Sequence, residues 1–155
     1  MQTSSDSPGV HVPPPLFYAS AVLAGWLLDG RWPLPITVSP ARTALAWVSV
    51  TSWAVLAASA IGLFRRRQTS MIPFRPATAL VTTGPYAFTR NPMYGSLALL
   101  TLAFALFLNT WWIVVLLIPA LVVVQQCVIV REEGYLRRRF GAEYDEYARR
   151  VRRWL

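Results

Sequence analysis

The 155-residue sequence has no lysine, one cysteine, one histidine and only seven acidic residues. Each shortage removes a class of answer. A single thiol, Cys127, excludes a disulfide scaffold. The lone histidine, His11, lies in a Ser/Pro/Gly-rich N-terminal stretch and offers no imidazole base to a folded site. No HExxH, CxxC pair, P-loop or GxGxxG occurs, so metal catalysis and Rossmann-type cofactor binding find no support. Charged residues make up 14% of the chain and hydrophobic ones 55%. An average soluble domain has about 25% and about 45–50%. The chain therefore has too little charge to cover a soluble surface, and too much apolar content for disorder.

What charge there is has one sign. Fifteen arginines give a net charge of +8. In a soluble protein that excess would suggest nucleic acid. Beside an apolar excess it points to a membrane instead. Nucleic acid drops out as a partner, and the arginines become a topology signal and a contact for anionic lipid headgroups. The exclusive use of arginine suggests a GC-rich bacterial genome, and so the bacterial inner membrane.

A transmembrane helix needs about 20 mostly apolar residues. Four segments qualify or come close: about 16–28, 43–64, 93–108 and 111–130. The first is short, and Pro13, Pro14 and Pro15 prevent an earlier helical start. A signal peptide is the competing reading, but residues 1–15 carry no basic n-region. Only Asn109 and Thr110 separate the last two spans, so they form a tight helical hairpin. The expected fold class is all-α integral membrane. It has about four transmembrane helices, a C-terminal helical hairpin and a cytoplasmic amphipathic C-terminal helix. A mobile tail (1–15) precedes a single domain (16–155). Arginines concentrate in the loop 65–92 and the tail 131–155. The positive-inside rule places both of these, and both termini, in the cytoplasm.

Two polar pieces share that face. The first is Thr83–Gly95, TGPYAFTRNPMYG. Gly84-Pro85 marks a turn. Pro92 can open a helix at its first position, with Asn91 as its cap. Arg90 and free backbone N–H groups then converge at a helix N-terminus, a setting that suits a carboxylate or phosphate.

The second piece is Arg131–Leu155. Gly141 reads as a helix stop, and Ala142–Trp154 as a second amphipathic helix. Tyr144, Tyr147 and Val151 share one face of it. Arg149, Arg150, Arg152 and Arg153 are expected to meet lipid phosphates or solvent. Glu132 and Glu133 end the fourth span. They pair with Arg131 or Arg137, begin a helix that continues outward, or serve a dedicated site. Cys127 is expected to pack, and Gln125 and Gln126 to face protein or a cavity.

Taken in order, Gly84-Pro85-Tyr86, Thr89-Arg90-Asn91-Pro92-Met93-Tyr94, a hairpin, Arg131-Glu132-Glu133, Phe140-Gly141, Tyr144, Tyr147 and Val151 resemble the isoprenylcysteine carboxyl methyltransferase family. That superfamily also holds the phospholipid methyltransferases. The resemblance covers about half the chain, from Val81 onward. It implies an S-adenosylmethionine-dependent methyltransferase acting on a lipophilic substrate from the bilayer. It also implies a cofactor pocket at the cytoplasmic face. Gly84, Pro85, Tyr86, Arg90, Asn91, Pro92, Tyr94, Gly95, Glu132, Glu133, Tyr144 and Tyr147 are the expected cofactor-binding residues. Arg90 would hold the cofactor carboxylate. Glu132 or Glu133 would take the ribose or ammonium, with Glu133 and Glu132 as fallback bases. Many family members have Arg-His-Pro where this chain has Arg90-Asn91-Pro92, and asparagine does not titrate near neutrality. Two other readings stand beside this one. One is a sterol-reductase-like NADPH enzyme, and the other a non-enzymatic four-helix protein binding anionic lipid.

Overall fold

The computed structural model describes residues 12–68 and 77–154. Residues 1–11, with His11, and 69–76, with Arg75, lie outside them. Most of the expected tail and part of the 65–92 loop therefore fall there as well. The described residues form no strand. Their helices are α1 (Pro15–Arg31), α2 (Pro40–Arg66), α3 (Pro92–Phe107), α4 (Trp111–Val124), α5 (Val130–Phe140) and α6 (Ala142–Arg150). A 3-10 turn spans Gly84–Ala87, and a π-helical turn, Gln125–Ile129, joins α4 to α5 without a break.

Among the described residues, two helices are long and apolar enough to cross a bilayer: α2, and the continuous 30-residue helix Trp111–Phe140. The 17 residues of α1 and 16 of α3 make about 24–26 Å of helix, short of a ~30 Å hydrocarbon core. Large apolar side chains stand outward along the long helices. Val48 and Val55 on α2 and Ile118 on α4 are each about 60% exposed, an arrangement suited to lipid rather than water.

The chain divides into two compact units. One holds residues 13–55 and 94–124. Here α1 starts at Pro15, as the prolines dictate, but runs three residues past Leu28 to Arg31. It ends where Pro33 forbids continuation and the Asp29 carboxylate accepts from the Leu34 amide at 3.0 Å. Gly25 lets α1 approach α4 closely. A Cβ there would meet the Ile113 backbone nitrogen at 2.8 Å. A tight turn at Asn109 and Thr110 separates α3 from α4. Asn109 takes a left-handed φ of 57° and Thr110 N–H reaches back to the Ala105 carbonyl, closing α3. The Thr110 hydroxyl accepts from the Trp112 amide and starts α4. Arg42 donates to the Leu106 carbonyl, while Trp47 meets Phe107 edge-on at 5.3 Å.

The other unit holds residues 56–93 and 125–155. Its core includes Ala60, Val81, Val128, Ile129, Tyr135, Tyr144 and Tyr147. The helix of the fourth apolar segment continues past Val130 to Phe140, so Glu132 and Glu133 begin a helix that runs on, one of the three readings of the sequence. One expectation is corrected here: the terminal helix is shorter than Ala142–Trp154. It stops at Arg150, and Val151 is already extended. Gly141, with φ 53°, makes the break between α5 and α6.

Candidate functional site

The site is built on the second unit. Its first wall is the segment leading to α3. Gly84 opens the 3-10 turn with φ 61°. A Cβ there would fall 2.7 Å from Leu63 Cδ1, so both backbone and space favour glycine. The turn delivers Tyr86 edge-on to Phe64 at 5.6 Å. It then releases the chain into Thr89-Arg90-Asn91, and Pro92 starts α3 as expected.

The last residues of the chain run alongside Thr89–Asn91. The Arg90 amide donates to the Arg152 carbonyl at 2.9 Å. The Arg153 carbonyl accepts from the Thr89 hydroxyl at 3.1 Å and from the Asn91 side-chain amide at 3.0 Å. Trp154 Nε1 donates to Gln125 Oε1 at 2.7 Å. Gln125 thus faces protein, as expected. Gln126 and Cys127 are exposed instead, which corrects the expectation for both. Their side chains leave the packed face within the π turn.

At the centre stands Glu133. Its Oε1 accepts from Arg90 Nη1 at 3.0 Å and from Arg153 Nε at 3.0 Å, and its Oε2 from Arg153 Nη2 at 2.6 Å. The side chains of Glu133 and Arg90 are only 13% and 16% exposed. Arg90 also donates to the Tyr144 hydroxyl. Its Nε is buried with no partner. Two guanidinium groups thus share the Glu133 carboxylate. Bonding to Glu133 raises the Arg153 guanidinium above its ordinary pKa.

The tyrosines frame this cluster from below. Tyr147 OH donates to the Tyr86 carbonyl at 2.7 Å, and the Tyr144 and Tyr147 rings meet edge-on at 6.2 Å. Burial pushes all three phenols upward. For Tyr86 the charge of Glu132 adds to the rise, and for Tyr144 the bond from Arg90 opposes it. All three are neutral at pH 7, so none stands ready as a phenolate base.

The unit thus gathers ten of the residues expected from the sequence: Gly84, Pro85, Tyr86, Arg90, Asn91, Pro92, Glu132, Glu133, Tyr144 and Tyr147. Tyr94 and Gly95 belong to the other unit, where the Tyr94 carbonyl accepts from Tyr18 OH at 3.0 Å. The sequence reading missed Arg153, expected to face lipid or solvent. It also missed Thr89 and Trp154. No local spacing points to Arg153, which lies 20 residues beyond Glu133. Arg137, one of the two local partners expected, pairs with Asp145 at 2.7 Å. Arg150 lies 3.7 Å from Glu146.

The sequence model of a family described as phospholipid methyltransferase matches residues 41–143. The chain belongs to the phospholipid methyltransferase family. Membership implies methyl transfer to lipid-related acceptors by a protein with membrane helices. The matched segment reaches back to the start of α2, well before Val81, and includes Arg90 and Glu133. Arg153, Tyr144 and Tyr147 lie beyond it. This member of the phospholipid methyltransferase family is also similar to an uncharacterized protein of Haemophilus influenzae. The two are 46% identical over 66 residues, which is 41% of this chain and all of that protein. No solved structure matches the chain.

Proposed function

We propose that this family member uses S-adenosylmethionine to methylate a lipophilic, membrane-embedded acceptor at the cytoplasmic face of a bacterial inner membrane. Its helices α1–α4 would form four spans, with both termini cytoplasmic. The observation that carries the proposal is the Arg90 Nε, buried beside Glu133 with no acceptor. A buried guanidinium nitrogen without an acceptor calls for one, and an anion suits it best. The cofactor carboxylate is an anion of the right kind. The residues present therefore fit the cofactor at this point.

When bound, S-adenosylmethionine supplies a methyl group already activated on a sulfonium. The protein is left to align groups and exclude water. Arg90 would hold the carboxylate through its unused Nε. Glu133 already has three donor contacts, which makes it the group that positions Arg90 and Arg153 rather than a base. Glu132, near Tyr86, is the second carboxylate of this face and suits the ammonium or the ribose hydroxyls. Tyr86, Tyr144 and Tyr147 shape the floor. With neutral phenols and no histidine among the residues near the cluster, the site favours an acceptor that brings its own lone pair, such as a carboxylate or a neutral amine.

Calorimetry on the detergent-purified chain with S-adenosylmethionine, S-adenosylhomocysteine and NADPH tests this reading. Heat is expected with both adenosyl ligands and not with NADPH. A response to NADPH alone would turn the assignment toward a reductase. Silence with all three would leave the anionic-lipid reading.

A further inference from the structure

The link between α1 and α2 is irregular, yet from Trp32 to Ile36 it leaves no amide N–H open. The Trp32 amide donates to the Leu28 carbonyl at 2.7 Å, Leu34 to the Asp29 carboxylate at 3.0 Å, and Ile36 to the Asn109 carbonyl at 3.3 Å. Pro33 and Pro35, between them, have no N–H. Two carbonyls take part as well. Trp32 accepts from the Trp112 indole at 2.6 Å and Leu34 from the Trp111 amide at 2.9 Å. A loop in water needs no such closure, because water bonds an open amide. At membrane depth, irregular backbone persists only where protein satisfies it.

The side chains agree. Trp32 and Leu34 stand outward, 57% and 41% exposed. The charges nearby are occupied or long. Asp29 accepts from Leu34, and Arg42 donates to the Leu106 carbonyl at the end of α3. Arg31 lies over the Trp32 ring at 5.5 Å, on a stem long enough to reach headgroups. Helix length supplies an independent argument. The 17 residues of α1 and 16 of α3 leave about 4–6 Å of a ~30 Å core uncovered. Residues 32–36 follow directly on α1 and are tied to the turn after α3. Thr37 and Val38 are different, since their amides have no partner among the described residues.

We propose that residues 32–36 form a collar embedded at the acyl–headgroup boundary of the leaflet away from the cytoplasm. Trp32 and Leu34 enter hydrocarbon there, and the link reaches water only at Thr37 and Val38. The proposal rests on the reading of α1–α4 as spans and not on methyl transfer.

The test uses the full chain with Cys127→Ser, in vesicles of phosphatidylethanolamine and phosphatidylglycerol. Single spin labels are attached at Leu34→Cys, Val38→Cys and, on the outward face of α2, Val48→Cys. Relaxation by oxygen, which enters hydrocarbon, is compared with relaxation by a nickel chelate, which stays in water. The oxygen-to-nickel ratio at Leu34→Cys is expected to exceed that at Val38→Cys several-fold and to approach that at Val48→Cys. Trp32→Cys is the second reporter and should follow Leu34→Cys, including where the latter fails to fold. Equal nickel access at Leu34→Cys and Val38→Cys would place the whole link in water and overturn the proposal. Shielding of Leu34→Cys from both relaxants would overturn it in favour of a protein partner. Nickel access at Val48→Cys would overturn the membrane placement, and the collar with it. That failure is read on α2, so it is distinct from failure of the collar alone.

Discussion

Arg153 grips both carboxylate oxygens of Glu133, at 3.0 and 2.6 Å, while Arg90 adds a third contact to Oε1 at 3.0 Å. A carboxylate held this way is an organiser. Its removal leaves two guanidinium groups facing each other in a largely buried place.

Glu133→Gln is expected to lower stability by roughly 2–3 kcal/mol, somewhat less than a fully buried pair costs. The discount reflects Arg153, whose side chain is 36% exposed. Thermal unfolding in detergent measures this. On the proposed function, calorimetry should also show adenosyl-ligand binding weakened at least tenfold.

Arg153→Ala and Arg152→Ala should differ sharply. Arg153 contributes its guanidinium to Glu133, whereas the Arg152 side chain is exposed and only its backbone takes part. Limited proteolysis of the C-terminal segment should accelerate in Arg153→Ala and stay at the parent rate in Arg152→Ala. Equal rates would show that the backbone bonds alone dock the segment.

Gly84→Ala should cost about 1–2 kcal/mol, because φ 61° is strained for alanine. Leu63 must also move to admit the new methyl. Gly134→Ala should instead stabilise by about 0.5–1 kcal/mol, the ordinary gain in a helix interior. A Cβ there meets only Arg138 Nη1, at 3.6 Å. Melting midpoints of the two variants should move in opposite directions.

Alkaline pH should unfold this unit through its phenols. Burial raises Tyr86, Tyr144 and Tyr147 above the value near 10 that tyrosine has in the unfolded chain. The folded state binds those protons more tightly. The stability they contribute is complete below pH 10 and falls as pH climbs past it. Phenolate absorbance should rise together with loss of helicity, not before it. Tyr147→Phe, which also removes the bond to the Tyr86 carbonyl, should shift the midpoint of that transition.

The sequence showed some of this layout and concealed the rest, for physical reasons. Pro15, Pro92, Asn109 and Gly141 act on their own backbone, so the helix boundaries they set were legible. Arg90 was legible too, because a helix start beside a turn gathers donors within a few residues. The partner of Glu133 was not. Among four arginines in five positions, from Arg149 to Arg153, only the tertiary course of the chain selects which one turns inward. The extent of α6 was hidden for the same reason. Helical periodicity continues to Val151, but the backbone bonds to Thr89–Asn91 draw the last residues into an extended run. Apolar content announced the long helices, yet it could not say that the fourth carries on for ten residues beyond Val130.

The docking of residues 152–154 has a genetic corollary. An in-frame deletion of the three codons for Arg152, Arg153 and Trp154 would abolish at one stroke the bonds made to Arg90, Thr89, Asn91, Glu133 and Gln125. Such an allele should therefore be far more damaging than its size suggests.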